Sequence, residues 1–121
     1  MENRRITKEE AIRNHRKMWS WIADQYKSGR RVYVNDLKRE YIDTYFPGEY
    51  IPFDCFCCEY VDKNGGSCRA CPVIWYENET NMCIEIGGMY TELLYFNSYM
   101  STEKLEELAR QIANLPERED V

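Results

Sequence analysis

The sequence of 121 residues predicts a small α+β domain that is mainly helical, with helices near both ends and a cysteine-rich loop and a short β-ribbon between them. Two observations carry this prediction. Apolar residues recur at three- and four-residue steps within residues 7–45 and 89–115, which is the spacing of a buried helix face. The middle of the chain instead holds paired cysteines and two short apolar runs. The length suits one modest hydrophobic core, so we predict a single domain over residues 1–121.

The first helix is predicted from a start signal, an apolar stripe and a stop signal. Thr7 and Glu10 match the Thr-x-x-Glu pattern of a capping box, and Gly29 is the expected stop. The residues between them that share one face are Ile12, His15, Trp19, Ile22 and Tyr26. Because His15, the only histidine of the chain, lies on this stripe, we predict that it packs against other side chains rather than acting as a ligand or base.

A second helix is predicted from Asn35 as the N-cap through Asp36 to about Tyr45, before Pro47 and Gly48 end it. The connector of residues 28–34 is short. It would allow the two helices to pair as a hairpin over residues 1–47.

Residues 51–88 form the predicted cysteine segment, which consists of loops and short strands. The runs 73–76 and 82–86 are expected to pair as an antiparallel β-ribbon. Residues 89–97 fit a helix slightly better than a strand, and Ser101 or Thr102 is suited to cap the last helix, so we predict C-terminal helices within residues 89–116. The polar tail 117–121 is expected to fray. The apolar face of the last helix comprises Leu105, Leu108, Ala109, Ile112 and Leu115.

Four cysteines stand in two Cys-x2-Cys pairs that nine residues separate: Cys55, Cys58, Cys68 and Cys71. Each Cys-x2-Cys turn can direct two thiolates at one point, and two such turns can close a tetrahedral four-sulfur site, usually for zinc. We therefore predict a zinc-knuckle loop with one structural zinc ion per chain, in which Glu59 and Tyr60 support the loop through hydrogen bonds to backbone near the metal. Disulfides, free cysteines and an iron–sulfur cluster are the alternatives, and the roles of Cys57 and Cys83 stay open.

The charge of the chain is divided unevenly. Residues 1–40 contain 11 Lys+Arg and 6 Asp+Glu, whereas residues 41–121 contain 5 and 15, so the two parts carry +5 and −10 and the whole chain carries −5. The acidic larger part disfavours general binding to nucleic acid. No apolar run approaches the ~20 residues that cross a bilayer, and the N-terminus has no apolar core of signal-peptide type, so we expect a soluble cytoplasmic protein.

The sequence does not contain the usual signatures of catalysis. It has no phosphate-binding loop, no Gly-x-Ser-x-Gly elbow and no His-Glu-x-x-His pair, and we predict that the protein is not an enzyme. Basic and large aromatic side chains on and after the first helix instead suggest an interaction surface for a protein partner. Its candidate residues are Arg13, Arg16, Lys17, Trp21, Arg30 and Arg31. The alternatives are a zinc-knuckle nucleic-acid-binding regulator, in which basic residues contact phosphates, and a structural or assembly component.

Four segments together resemble small uncharacterised cysteine-rich proteins encoded by phages and prophages of Gram-positive bacteria. The segments are Met18 to Ile22, Cys55 to Tyr60, Cys68 to Pro72 and Ala109 to Pro116. The resemblance spans most of the chain. The group's pattern is Cys-Phe-x-Cys-Glu-Tyr followed by Cys-x-x-Cys-Pro, which implies that the two cysteine pairs form the metal set and that Cys57 occupies a variable position. It also implies a phage accessory protein of the host cytoplasm that binds a host bacterial protein, for example as an inhibitor of a defence or gene-expression system.

Overall fold

A computed structural model describes residues 7–51, 54–63, 71–75, 89–95 and 99–118. Within these ranges the protein is mainly helical, with α1 at Lys8–Lys27, α2 at Val34–Tyr45, α3 at Phe56–Lys63, α4 at Met89–Tyr95 and α5 at Thr102–Ala113. The described ranges contain no strand or sheet, so the α+β prediction is wrong. None of the described helices has the length and apolarity that would be needed to cross a bilayer.

The predicted β-ribbon fails because residue 73 has a different backbone partner. Val73 forms an isolated antiparallel bridge with Glu117. On either side, the Ile74 N–H donates to the Pro116 carbonyl at 2.8 Å and the Arg118 N–H donates to the Pro72 carbonyl at 2.7 Å. The segment after α5 thus satisfies the backbone groups that the prediction assigned to residues 82–86, which lie outside the described residues. The same bonds hold the first two residues of the tail that was expected to fray.

The first helix matches its prediction at both ends. Thr7 is the N-cap, and its Oγ1 accepts a hydrogen bond from the Glu10 N–H at 3.1 Å. Gly29, at φ +95°, has a left-handed conformation that suits glycine just after a helix. The predicted apolar stripe is buried, including His15, which is 1% exposed.

The main partner of α1 is α5, although α1 also contacts α2 and α3. His15 Nε2 lies 2.9 Å from the Ile112 carbonyl oxygen, and because a carbonyl only accepts, Nε2 carries the proton and donates it. At the exposed edge, Arg110 Nη2 lies 2.8 Å from Asp24 Oδ1. The α5 prediction is confirmed: Ser101 caps the helix, and its apolar face is buried.

The second helix begins two residues earlier than predicted. Tyr33, with extended backbone, is the N-cap and makes no side-chain cap bond, so the assignment of Asn35 as the cap is wrong. The earlier start places Val34 in the core at 1% exposure, which favours this register. Asn35 lies in the first turn, where its Oδ1 accepts from the Tyr90 hydroxyl of α4 at 3.0 Å. Residues 89–95 are helical, as the apolar spacing favoured.

Candidate functional site

Helix α3 positions the first cysteine pair, although the sequence predicted loops and strands for this part of the chain. Its first residue, Phe56, is fully buried, with ring centroids 5.0 Å from Phe46 and 6.4 Å from Tyr41. The buried Phe56 ring holds the start of α3 in place and thereby positions Cys55 and Cys58. Cys55 directly precedes the helix, and Cys58 lies in its first turn with its backbone N–H 3.3 Å from Cys55 Sγ.

Cys55 has a thiol that favours the charged form. The hydrogen bond from the Cys58 side chain is the largest effect; burial opposes it, while the positive charge of Lys38 and the backbone N–H groups of Cys58 and Cys57 add to it. Together they lower the pKa of Cys55 from 9.0 to about 6. The side chain is therefore a thiolate at neutral pH, which is the form that binds metal.

A second thiol pair joins α3 to residue 71. Cys57 is fully buried and Cys71 is 7% exposed, and their side chains form a hydrogen bond. This bond is the largest cause of the raised pKa of Cys57 and of the lowered pKa of Cys71, so Cys57 stays protonated and donates to the Cys71 sulfur. The spacing argument set Cys57 aside, whereas the structure turns it inward beside one of the predicted ligands.

The four predicted ligands fit a metal centre only in part. Cys55 and Cys58 have the close approach that a Cys-x2-Cys turn provides to one ion. Cys71 contacts Cys57, and Cys68 lies outside the described residues. Over 7–51, 54–63, 71–75, 89–95 and 99–118, no three His, Cys, Asp or Glu side chains form a group that could hold a metal ion.

A buried lysine of α2 contacts Tyr90 of α4. Lys38 of α2 is 3% exposed; its Nζ donates to the Tyr90 hydroxyl at 2.6 Å and lies 4.7 Å from the centroid of the Tyr90 ring. Burial is the largest influence and lowers the pKa of Lys38, but electrostatic attraction to Tyr90, Cys55 and Cys58, together with the hydrogen bond to Tyr90, outweighs it, so the net pKa is raised. Sequence reasoning missed this cluster, although Lys38 stands on the buried face of α2, next to Leu37 and four residues after Val34.

The two residues that were expected to support the loop lie on α3. Glu59 is fully buried, and its backbone N–H donates to the Cys55 carbonyl at 2.9 Å. Tyr60 is half-buried. A buried carboxyl group requires polar partners. The burial of Glu59 next to Cys58 therefore suits its predicted role of supporting the cysteine loop.

The basic residues of α1 line an open depression of about 340 Å³. Arg13, Arg16 and Lys17 are exposed there, and Glu9, Ile12 and Glu117 complete the wall. Among the described residues, Arg13 and Lys17 have no hydrogen bond or ion pair, and Arg16 makes one long bond of 3.4 Å to the Leu115 carbonyl. Three other described arginines bind carboxylates: Arg30 binds Glu40, Arg39 binds Asp43 and Asp54, and Arg110 binds Asp24 and Glu106.

The structure does not gather all six predicted surface residues in one place. Arg30 follows the far end of α1, and Arg13 lies roughly 20 Å from that end at 1.5 Å per residue. Arg30 is also held by Gln25 at 2.8 Å and by Glu40 at 3.0 Å. Arg31 is exposed but has a partner, and Trp21 is half-buried against the Tyr41 ring, with centroids 5.5 Å apart.

Comparison with protein-family models, with curated protein sequences and with solved structures gave no match to this chain.

Proposed function

We propose that this protein is a non-catalytic interaction protein that binds an acidic surface of a protein partner through Arg13, Arg16 and Lys17 on α1. The observation that carries the proposal is that Arg13 and Lys17 form no ion pair among the described residues, although the chain has a net charge of −5. Most of the other described arginines are paired with carboxylates. Unpaired cations are available to a partner without first breaking an internal ion pair.

The composition of the depression favours a protein over a nucleic acid. Glu9 and Glu117 share the wall with the three cations, and Ile12 adds apolar surface. A groove that tracks a phosphate backbone gains affinity from each cation and loses it with each carboxylate. A mixed wall of this kind matches a protein surface with complementary charges. The resemblance to phage and prophage proteins supports a cytoplasmic host bacterial protein as the partner.

Zinc is the second part of the proposal. The ion would be held by Cys55, Cys58, Cys68 and Cys71 and would join the second cysteine pair to the start of α3 as a closed structural site. The short N–H···S contact between Cys58 and Cys55 and the thiolate character of Cys55 support it. Cys71 would have to exchange its contact with Cys57 for the metal.

The metal proposal predicts one zinc ion per chain. Mass measurement of the intact protein under gentle conditions should show the mass of one zinc ion added to that of the chain. Cys58→Ser should abolish this increase, because it removes one of the two thiolates that the turn at the start of α3 provides. Cys57→Ser is the matched control, and it should retain the ion because Cys57 is a hydrogen-bond donor rather than a ligand in this scheme. A folded wild-type protein without zinc would contradict the metal proposal, and loss of zinc in Cys57→Ser would change the ligand set.

The partner proposal predicts a strong effect of reversing charge on α1. A pull-down from bacterial lysate should recover a protein that stays bound after nuclease treatment. Its binding should weaken as the salt concentration rises. The double variant Arg13→Glu, Lys17→Glu should raise its Kd at least ~10-fold, mainly through slower association. Both side chains are exposed and unbonded, so the fold should be unaffected.

The control for this experiment is the double variant Lys27→Glu, Lys104→Glu, which makes the same change in net charge at exposed lysines outside the depression. Equal weakening by both double variants would indicate a net-charge effect and contradict the assigned surface. Recovery only of material that nuclease removes would favour the nucleic-acid-binding regulator instead.

A further inference from the structure

A stripe of side chains continues along α1 beyond the basic depression. Arg13, Lys17 and Trp21 stand at four-residue steps, so each lies about one helix turn from the next on the same side of the helix. The distance from Arg13 to Trp21 along the axis is roughly 12 Å at 1.5 Å per residue. Since the two cations form no ion pair among the described residues, the stripe passes from unpaired positive charge to an aromatic ring.

The aromatic end of this stripe extends onto α2. The ring centroid of Tyr41 lies 5.5 Å from that of Trp21 and 4.7 Å from that of Tyr45. Tyr41 is 7% exposed, whereas Trp21 is half-buried and Tyr45 is 56% exposed, so two accessible rings contact the same covered ring. Single exposed apolar residues are common on protein surfaces. Contiguous aromatic rings next to an arginine are instead typical of protein interfaces.

The rings at this end are held in place by the core behind them. The centroid of the Tyr41 ring also lies 6.4 Å from those of Phe46 and of the fully buried Phe56. Rigid aromatic side chains supply contact area at a low cost in conformational entropy, and Trp and Tyr are enriched among the residues that dominate binding energy. Within the part of the chain that the structure describes, the Trp21 indole N–H and the Tyr45 hydroxyl form no hydrogen bond, so both can bond to a ligand.

The charges around the rings favour a protein ligand over a nucleic acid. Single-stranded nucleic acid stacks its bases on aromatic rings while cations follow its backbone. The three carboxylates closest in sequence to the rings each bind an arginine: Asp24, Glu40 and Asp43. A phosphate backbone that crossed the rings from Lys17 would meet these neutral pairs rather than unpaired cations, whereas an apolar side chain needs no counter-charge.

We infer that Arg13, Lys17, Trp21 and Tyr45 form one continuous binding surface whose ligand is an acidic segment of a protein partner that also carries a large apolar side chain. The carboxylates of this segment would face the two cations, and its apolar side chain would pack on the two rings about 12 Å further along α1. This inference rests on the proposed function, because it shares Arg13 and Lys17. It adds the aromatic end of the surface and the second chemical feature of the ligand.

The test is a selection of displayed random peptides on the immobilised full chain, followed by measurement of Kd in solution. Enriched peptides should combine acidic residues with a large apolar residue. Trp21→Ala and Tyr45→Ala should each raise their Kd at least ~5-fold, as expected for aromatic residues at the centre of an interface. The double variant Arg13→Glu, Lys17→Glu should raise it at least ~10-fold. Tyr99→Ala is the matched control, because this tyrosine is 85% exposed and makes no ring contact with the described residues.

Each outcome decides the question. Acidic peptides that the charge reversal weakens, but that either aromatic variant leaves at the wild-type Kd, overturn the inference and leave the proposed function intact. Equal weakening by Tyr99→Ala and Tyr45→Ala overturns it as well. Enriched peptides without acidic residues, or no enrichment, also overturn it, and the pull-down then decides the proposed function separately. If Trp21→Ala does not fold, Tyr45→Ala decides alone, since its side chain is exposed.

Two further measurements test other occupants of the rings. Sedimentation should give the same oligomeric state for the wild type and Tyr45→Ala. A dimer that Tyr45→Ala dissociates would mean that a second copy of the chain covers the rings, and it would overturn the inference. A labelled single-stranded oligonucleotide should bind more weakly than the peptides. Tighter binding that Tyr45→Ala weakens would assign the surface to nucleic acid instead.

Discussion

Lowering the pH from 7 to 4 should reduce the free energy of unfolding by about 3 kcal/mol through His15 alone. The pKa of this imidazole is lowered from 6.5 to about 4, chiefly by burial. The hydrogen bond to the Ile112 carbonyl opposes the shift, while the positive charges of Arg16 and Lys38 contribute to it. Among the described residues Nδ1 has no hydrogen-bond partner, so a second proton would place an unpaired charge in the core.

The sign of the effect follows from the two protonation states. In the unfolded chain the imidazole takes up a proton near pH 6.5, whereas in the folded protein it does so only near pH 4. Between these values the unfolded state binds more protons, so stability falls as the pH falls. The contribution of His15 is complete above pH 6.5 and is lost as the pH falls through about 4.

Urea unfolding at several pH values between 7 and 4 would measure this loss, with His15→Gln as the matched variant. Glutamine can still donate to the Ile112 carbonyl but does not ionise in this range. Both chains have the same cysteines and carboxylates, so the effect of His15 is the difference between their pH profiles. The stability of the wild type relative to that of His15→Gln should fall by about 3 kcal/mol between pH 7 and pH 4, and parallel profiles would contradict the prediction.

The helices α1 and α5 were predictable because their signals are local. Thr7 and Ser101 cap within three residues of their own positions, and each apolar stripe lies within a single helix. For α2 the local signal was misleading, because Asn35 is a favourable cap residue whose side chain binds Tyr90 instead. Tertiary contact decided the register of that helix.

The middle of the chain was less predictable because its partners are distant in sequence. Helix α3 is only eight residues long, and it depends on Phe56 packing against rings of α2 and the loop that follows it. The β-ribbon was wrong because the backbone around Val73 pairs with residues 116–118, more than forty positions away. No local pattern identifies such a partner.

The candidate site shows the same division. Spacing brought Cys55 and Cys58 together correctly, because a Cys-x2-Cys turn is a local geometry. The contact between Cys57 and Cys71 and the link from Lys38 to Tyr90 join different segments. The available signal for the contact between Lys38 and Tyr90 was the position of Lys38 on the buried face of a predicted helix. This signal indicated that Lys38 is buried, but it did not identify Tyr90 as its partner.

The two neighbouring tryptophans of α1 should differ sharply in their effect on stability. Trp19 is 2% exposed, and its ring centroid lies 5.6 Å from that of Tyr90 in an edge-to-face contact and 6.4 Å from that of His15. The Tyr90 ring in turn stacks on Trp75 at 6.1 Å, so Trp19 connects α1 with α4 and with residues 71–75. Trp19→Ala should therefore lower the free energy of unfolding by about 3–5 kcal/mol, the usual cost of truncating a buried aromatic residue.

Trp21→Ala removes the same atoms from the same helix, where the ring is half-buried against Tyr41 at 5.5 Å. Its cost should be about 1–2 kcal/mol, because the ring loses one aromatic contact and leaves no enclosed cavity. Since small domains have a total stability of about 5–15 kcal/mol, the first variant should lose a large share of its stability and melt at a much lower temperature, whereas the second should melt close to the wild type. Thermal unfolding followed by circular dichroism separates the two cases. Equal costs, or a larger cost at Trp21, would mean that α1 presents a different face to α4 and that the core is not organised around Trp19.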